Sequence, residues 1–389
     1  MVLRQRAILV AVLAATACGS ATQPTTSPRS SLPPFPAATI TATATATPTT
    51  DACAEPEQAP PSRSFSAAFA TALAFAPDGR LFYAERAGTV RVWQGGGSHV
   101  FATVHTVTTE PRGGYSERGL LGLAVSPTFA QDRYVFALYS DANYRQQHVI
   151  RWRDCAGAGV DATVIITLQS GPDCCHKGGR LAFGPDGNLY VTLGDEHTSS
   201  AAQNTRDARG KVLRYNPDGS IPADNPFGAG DPVWAYGLRN PFGIAFSSSG
   251  GLAVTSNGPS GDAGSPGTGY DTLVESVSRG EGLQWPLCYG YSHPLAAASC
   301  EGRTPPDWSS EQGTVVPTGA TFVDANGPAG YAGHLVFCTF DRGMLIVTPG
   351  SPHASVASGP SGCNLDVKEG PDHALYFSDA ITIHRLGSG

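Results

Sequence analysis

The sequence predicts an all-β fold, a six-bladed β-propeller, on three observations. Among 389 residues there are 47 glycines and 31 prolines, more helix breakers than a helical protein tolerates. One strand, turn, strand unit recurs along the chain. Its clearest copies are LAFAPDGRLFYAERAGTVRVW at 73–93, LAFGPDGNLYVTLGD at 181–195 and VKEGPDHALYFSDAITIHRL at 367–386. The third observation is the chemistry of the Pro-Asp-Gly turn: Pro presets φ, Asp bonds the following backbone and Gly accepts a positive φ. Units this small cannot bury a core alone, so they stack into a ring, and six of them suit residues 62–389. Weaker copies, GLAVSPTFAQDRYVFALYS at 122–140 and GIAFSSSGGLAVTS at 243–256, fill the intervals.

Taken from the N-terminus, residues 1–18 carry Arg4 and Arg6, the apolar run AILVAVLAATA and then Cys18, the pattern of an export signal ending in a lipobox-like cysteine. The run is too short to span a bilayer, so any membrane attachment is expected only through a lipid on Cys18. Residues 19–61 are mostly Ala, Thr, Pro and Ser, a composition expected to form a disordered tether. The propeller is expected over 62–389. With a net charge of −7 and no basic run, the electrostatic footprint of a nucleic-acid partner is absent.

Nine cysteines less Cys18 leave an even number, which in an exported chain favours disulfides. Proximity favours Cys288 with Cys300 and Cys338 with Cys363. Cys53, Cys155, Cys174 and Cys175 keep an open pairing, with a cross-loop bridge favoured over a ring between the adjacent Cys174 and Cys175, which costs strain. Cys174-Cys175-His176 does not read as a zinc site, because no second Cys/His cluster completes four ligands.

Propellers collect function at strand ends around the central channel. His176 stands on a Gly-flanked loop before the expected strand RLAFG at 180–184, where an imidazole can take a hydroxyl proton. Arg239 and Asn240, in GLRNPFGIAF at 237–246, offer a planar fork and an amide donor. Gly258 and Pro259, in SNGPSGD at 256–262, offer backbone carbonyls to a hard cation.

Together ERGLLGLAVSPTFAQDRYVFALY, HKGGRLAFGPDGNLYVTLGD, RDARGKVLRYNPDGSIPADNPF, VWAYGLRNPFGIAF, NGPSGD, LQWPLCYGY and GPDHALYFSD resemble, in order and spacing, the glucose/sorbosone dehydrogenase family. That family comprises six-bladed propellers and includes soluble sugar dehydrogenases dependent on pyrroloquinoline quinone (PQQ). The resemblance implies that His176 is the general base in oxidation of an aldose or related alcohol. It implies also that Glu117, Arg239 and Asn240 contact PQQ, and that Gly258 and Pro259 hold a Ca2+ ion that polarises it. Electrons would pass to an extracytoplasmic acceptor. The expected location is extracytoplasmic, lipid-anchored to a bacterial membrane or else secreted.

Some positions depart from the family pattern. Asp271 matches one of two acids expected near the cation, while Thr272 replaces the other. Asp341, Cys363 and Leu365 stand where cations for the quinone's carboxylates are expected, and an anion there repels. Lys177 is the candidate compensating cation. Two other functions are consistent with the residues: a non-catalytic surface propeller binding glycan or protein, and metal-dependent hydrolysis through Glu117, Asn240 and Asn257. No GxSxG elbow is present.

Overall fold

Six four-stranded antiparallel sheets follow one another along the chain in the computed structural model, which describes residues 53, 58–111, 113–295, 298–350 and 353–387. They form the expected six-bladed propeller. The first blade runs Ala70–Phe75, Leu81–Glu85, Thr89–Gln94 and Gly97–Thr103; the second begins at Leu120–Val125 and the third at Leu181–Phe183. The fourth begins at Asn240–Phe246 and the fifth at Pro317–Phe322. The sixth starts at Val367–Glu369 and takes its outermost strand, Phe65–Ser66, from the other end of the chain, pairing Phe65 with Ile383. That exchange closes the ring.

Inner strands lie between neighbouring blades and are buried on both faces, so Ala70–Phe75, apart from Thr71, and Leu120–Val125 read as nearly continuous apolar runs. Outer strands have one wet face and alternate, as in Thr89–Gln94. The repeat at 73–93, 181–195 and 367–386 falls on the inner strands and hairpins of the first, third and sixth blades. The fifth blade carries no Pro-Asp-Gly signal because residues 323–334 replace the tight turn between its first two strands.

A register shift recurs where the inner strand begins, between Ala70 and Ala72, Leu120 and Gly122, and Pro241 and Gly243. A bulge leaves one residue out of the ladder, and its carbonyl then needs another donor. Arg180 supplies it. Buried at the axis, its guanidinium donates to the carbonyls of Thr71, Leu121, Phe242 (2.7 Å) and Leu365 (2.7 Å), with Asp366 at 4.0 Å. One side chain thus ties four other blades to the third. Burial lowers the Arg180 pKa, and Asp366 works against that shift.

Disulfides join Cys288 to Cys300 and Cys338 to Cys363, as expected. The remaining pairs are Cys53 with Cys155 and Cys174 with Cys175. The adjacent cysteines therefore form the ring that strain disfavoured, because Cys155 is already committed to Cys53. Residues 53 and 58–61, assigned above to the tether, are attached to the propeller: the Gln58 amide donates to the Asp78 carbonyl at 2.6 Å and its side chain accepts from Gly95. The export signal, Cys18 and the rest of the tether lie outside the described residues. Among the described residues no helix is long and apolar enough to cross a membrane.

Candidate active site

His176 ends the loop that leads into the third blade, and Asp195 ends the second strand's continuation in the same blade. Antiparallel pairing of Leu181 with Val191 carries these ends to the same side of the sheet. There His176 Nδ1 meets Asp195 Oδ1 at 2.6 Å, and both are almost wholly buried. Gly194 permits the approach, since a Cβ at that position would collide with the His176 carbonyl oxygen. Asp195 is itself fixed: its Oδ2 accepts the Trp285 indole N–H at 2.7 Å and its Oδ1 the His197 amide at 3.0 Å. Trp285 comes from a long insertion in the fourth blade, between Thr272–Val274 and Trp308–Ser309.

Beside this pair lies a second. Lys177 Nζ binds Glu196 Oε1 at 2.9 Å, fully buried, and also donates to Ser170 and Gly171. Burial lowers the lysine's pKa against the pull of Glu196. Lys177 is thus committed inside the protein, which corrects its assignment as a cation for a bound anion. The two pairs, His176 with Asp195 and Lys177 with Glu196, lock the loop from consecutive positions.

The six residues singled out from sequence converge on one cavity of about 270 Å3: Glu117, His176, Arg239, Asn240, Gly258 and Pro259 all line it. Glu117 Oε2 accepts from Asn240 Nδ2 at 3.1 Å and from the Lys177 amide at 3.1 Å. Asn240 Oδ1 in turn accepts the Gly178 amide. Cys175 also lines the cavity, which sets the Cys174–Cys175 ring directly beside His176.

Arg239 is held by Asp262, whose two carboxylate oxygens accept from Nε at 2.8 Å and Nη2 at 3.0 Å, while Ser260 accepts at 2.6 Å. Burial alone would push the Asp262 carboxyl up; Arg239's hydrogen bonds and charge outweigh it and hold the pKa at about 2. Asp262 therefore stands where a ligand carboxylate would meet this fork, and marks Arg239 as a carboxylate-binding group.

The acid expected near the cation has another task. Asp271 accepts the amides of Gly258 (2.7 Å), Val315 (2.8 Å) and Val316 (3.1 Å), and burial raises its pKa against those bonds. It shapes the loop that carries Gly258 and Pro259, and both of its oxygens are engaged by backbone. Asp341 is exposed and lines neither this cavity nor a second one that shares residues with it, which corrects the expected repulsion; Phe340 and Leu365 line that second cavity instead. Cys363 is buried in its disulfide.

Asp195, His197, Asp262 and Trp285 were not singled out from the sequence. A signal existed for Asp195: an acid closing the second strand of the hairpin that His176 opens. For Trp285 and Asp262 no local pattern could show it, because each arrives on an irregular insertion. His197 packs its ring 4.0 Å from that of His176, and burial together with His176 lowers its pKa.

The model of the glucose / sorbosone dehydrogenase family matches residues 68–382. The aldose sugar dehydrogenase of Escherichia coli K12 is 31% identical over 56% of this chain and 58% of its own length. Quinoprotein glucose dehydrogenase B of Acinetobacter calcoaceticus is 31% identical over 57% of this chain and 50% of its own. The chain thus spans between half and three-fifths of the length of these two relatives. A solved structure from Thermus thermophilus, described as an oxidoreductase (glucose dehydrogenase), shares 29% identity at a TM-score of 0.71, covering 83% of this chain and 99% of that one.

Proposed function

The chain belongs to the glucose/sorbosone dehydrogenase family, and from that premise we propose that it is an exported dehydrogenase, dependent on PQQ and Ca2+, that oxidises an aldose or a related alcohol. The observation that carries this reading is the buried His176–Asp195 pair in the wall of a cavity rich in hydrogen-bonding groups.

Asp195 accepts from Nδ1 and so selects the tautomer whose Nε2 is basic. An imidazole held in this way takes the hydroxyl proton of an alcohol, and the buried carboxylate stabilises the imidazolium that results. Trp285 keeps the carboxylate aimed at the ring. The lowered pKa of His197 leaves its neighbouring ring neutral near pH 7, so it does not oppose the charge that forms on His176. The quinone, when bound, supplies the acceptor for the hydride that leaves the substrate carbon.

The residues present suit such a group. Arg239 would hold one carboxylate in place of Asp262, and Asn240 and Glu117 would bound the ring. The carbonyls of Gly258 and Pro259 would give the Ca2+ two hard oxygens, with the rest of its shell drawn from the ligand and water, since Asp271 is engaged elsewhere. Four disulfides among the described residues support an extracytoplasmic location. A lipid anchor at Cys18 and an extracytoplasmic electron acceptor belong to the same reading.

The test is a titration of the metal-free protein with Ca2+ and PQQ, followed by absorbance and by dye reduction with a panel of aldoses. A quinone spectrum and sugar-dependent reduction are expected. If neither appears at any concentration, the dehydrogenase reading is lost and the binding propeller takes its place.

A further inference from the structure

A second cavity, of about 300 Å3, opens on the propeller axis beside the first, and the two share a wall formed by Tyr115, Glu117, Asn257 and Val316. Its floor is Arg180 with Leu121, and its sides carry Phe69, Phe242, Phe340 and Leu365. Phe340 and Leu365 come from the segments in which the family resemblance implies cations. This chain has apolar side chains there, and the structure turns both of them into the chamber.

The charges around the chamber are already committed. Arg180 is bound to backbone carbonyls and faces Asp366. Arg86 donates to the carbonyls of Arg118, Thr108 and Ser116 and lies 5.4 Å over the Phe69 ring. Glu117 accepts from Asn240 and from the Lys177 amide. Among the described residues, an anion entering here would meet a carboxylate in the wall and no cation free of backbone or acid partners. At the rim stand two of the large apolar side chains that the described surface leaves exposed, Tyr115 at 72% and Phe340 at 52%. Exposed aromatics framing a concave apolar site are the usual sign of a ring-binding pocket.

We propose that this axial chamber binds the uncharged, ring-bearing part of the substrate, so that the protein favours an aryl-substituted alcohol over a small free sugar. The substrate half of this inference rests on the dehydrogenase reading; the binding half stands without it.

Calorimetric titration of the full chain, free of quinone and Ca2+, with benzyl alcohol, and with glycerol as the polar control, separates the two. Saturable binding of benzyl alcohol with a negative heat-capacity change is expected, glycerol giving none. Phe340→Asp should weaken it about tenfold, the order of one lost ring contact. Phe340 is half exposed, so this variant should fold; Tyr115→Ser is the second probe and should act in the same direction. Equal binding of the two alcohols, or an affinity untouched by both variants, overturns the proposal. In the quinone-loaded enzyme Phe340→Asp should lower kcat/KM for benzyl alcohol relative to glucose, again about tenfold. An enzyme inactive on every alcohol would remove the dehydrogenase reading and leave the calorimetric result to decide the chamber.

Discussion

The third and sixth blades carry the same turn, GPD at 184–186 and at 370–372, and face each other across the axis with opposite charges, Arg180 and Asp366. At the turn they are nearly superimposable in their contacts. Tyr190 donates to Asp186 at 3.1 Å and Tyr376 to Asp372 at 2.9 Å, with Arg214 and Arg385 completing each cluster. A Cβ on Gly184 or on Gly370 would meet the same two groups, the aspartate Oδ1 and the tyrosine ring, each at 2.6 Å. At the opposite ends of the strands they part. Both blades hold a His–Asp pair, but that of the sixth, His384 with Asp379 at 2.8 Å, is half-buried and closes its own tight turn, where Asp379 also accepts the amides of Ile381 and Thr382. In the third blade the strand's continuation through Gly194 carries Asp195 inward to a histidine from another loop. The repeat keeps the end that builds the ring and leaves the other end free for chemistry.

The sharpest way to break this comparison is to remove both histidines in turn. His176→Gln should lower kcat about a thousandfold, the usual scale of a lost general base, whereas His384→Gln should leave it unchanged. Equal effects would mean that neither pair is the base. Asp195→Asn should lower kcat on the order of a hundredfold with KM little altered, since the imidazole loses its orientation and its counter-charge, and Asp379→Asn should not. Steady-state kinetics on the loaded enzyme decides both contrasts.

How far the sequence reached follows from the same two blades. Pro-Asp turns, closed by Gly79, Gly187 and His373, encode themselves locally, so the first, third and sixth blades were legible, and with them the fold. The fifth blade, whose turn is replaced by residues 323–334, left no such mark. Five of the residues that line the cavity, His176, Arg239, Asn240, Gly258 and Pro259, stood out at strand ends or Gly-flanked loops, whereas Glu117 was implied only by the family resemblance. Asp262 and Trp285 did not stand out, because irregular insertions place them through tertiary contacts. Arg180 was hidden for another reason: its partners are main-chain carbonyls, which have no signature in a residue string.

Stability measurements sharpen the comparison at the axis. Arg180→Met should cost about 3–5 kcal/mol in urea unfolding, because it orphans bulge carbonyls in several blades and leaves Asp366 with Lys368 as its remaining cation. Gly184→Ala and Gly370→Ala should each cost about 1–3 kcal/mol, and by similar amounts; a marked inequality would show that the two turns are not equivalent. The smallest effect is expected from Asp262→Asn. The folded-state pKa of Asp262, about 2, lies below its ordinary value, so its contribution to stability is complete above about pH 4 and is lost as the pH falls toward 2. The gap between wild type and variant in thermal midpoint should therefore hold steady from pH 7 to 5 and close near pH 2.

The bridge from Cys53 to Cys155 has a mechanical consequence. Ring closure by Phe65–Ser66 rests on a short ladder, Phe65 with Ile383 and Ser66 with Thr382, extended by the Ala67 and Phe69 amides, which donate to the Ile381 and Ala380 carbonyls. Any pull arriving from the N-terminal side reaches Cys53 first and passes through sulfur into the hairpin at Cys155 of the second blade. The seam of the ring is thereby shielded from any load applied on the N-terminal side of Cys53, and the closing strand stays seated.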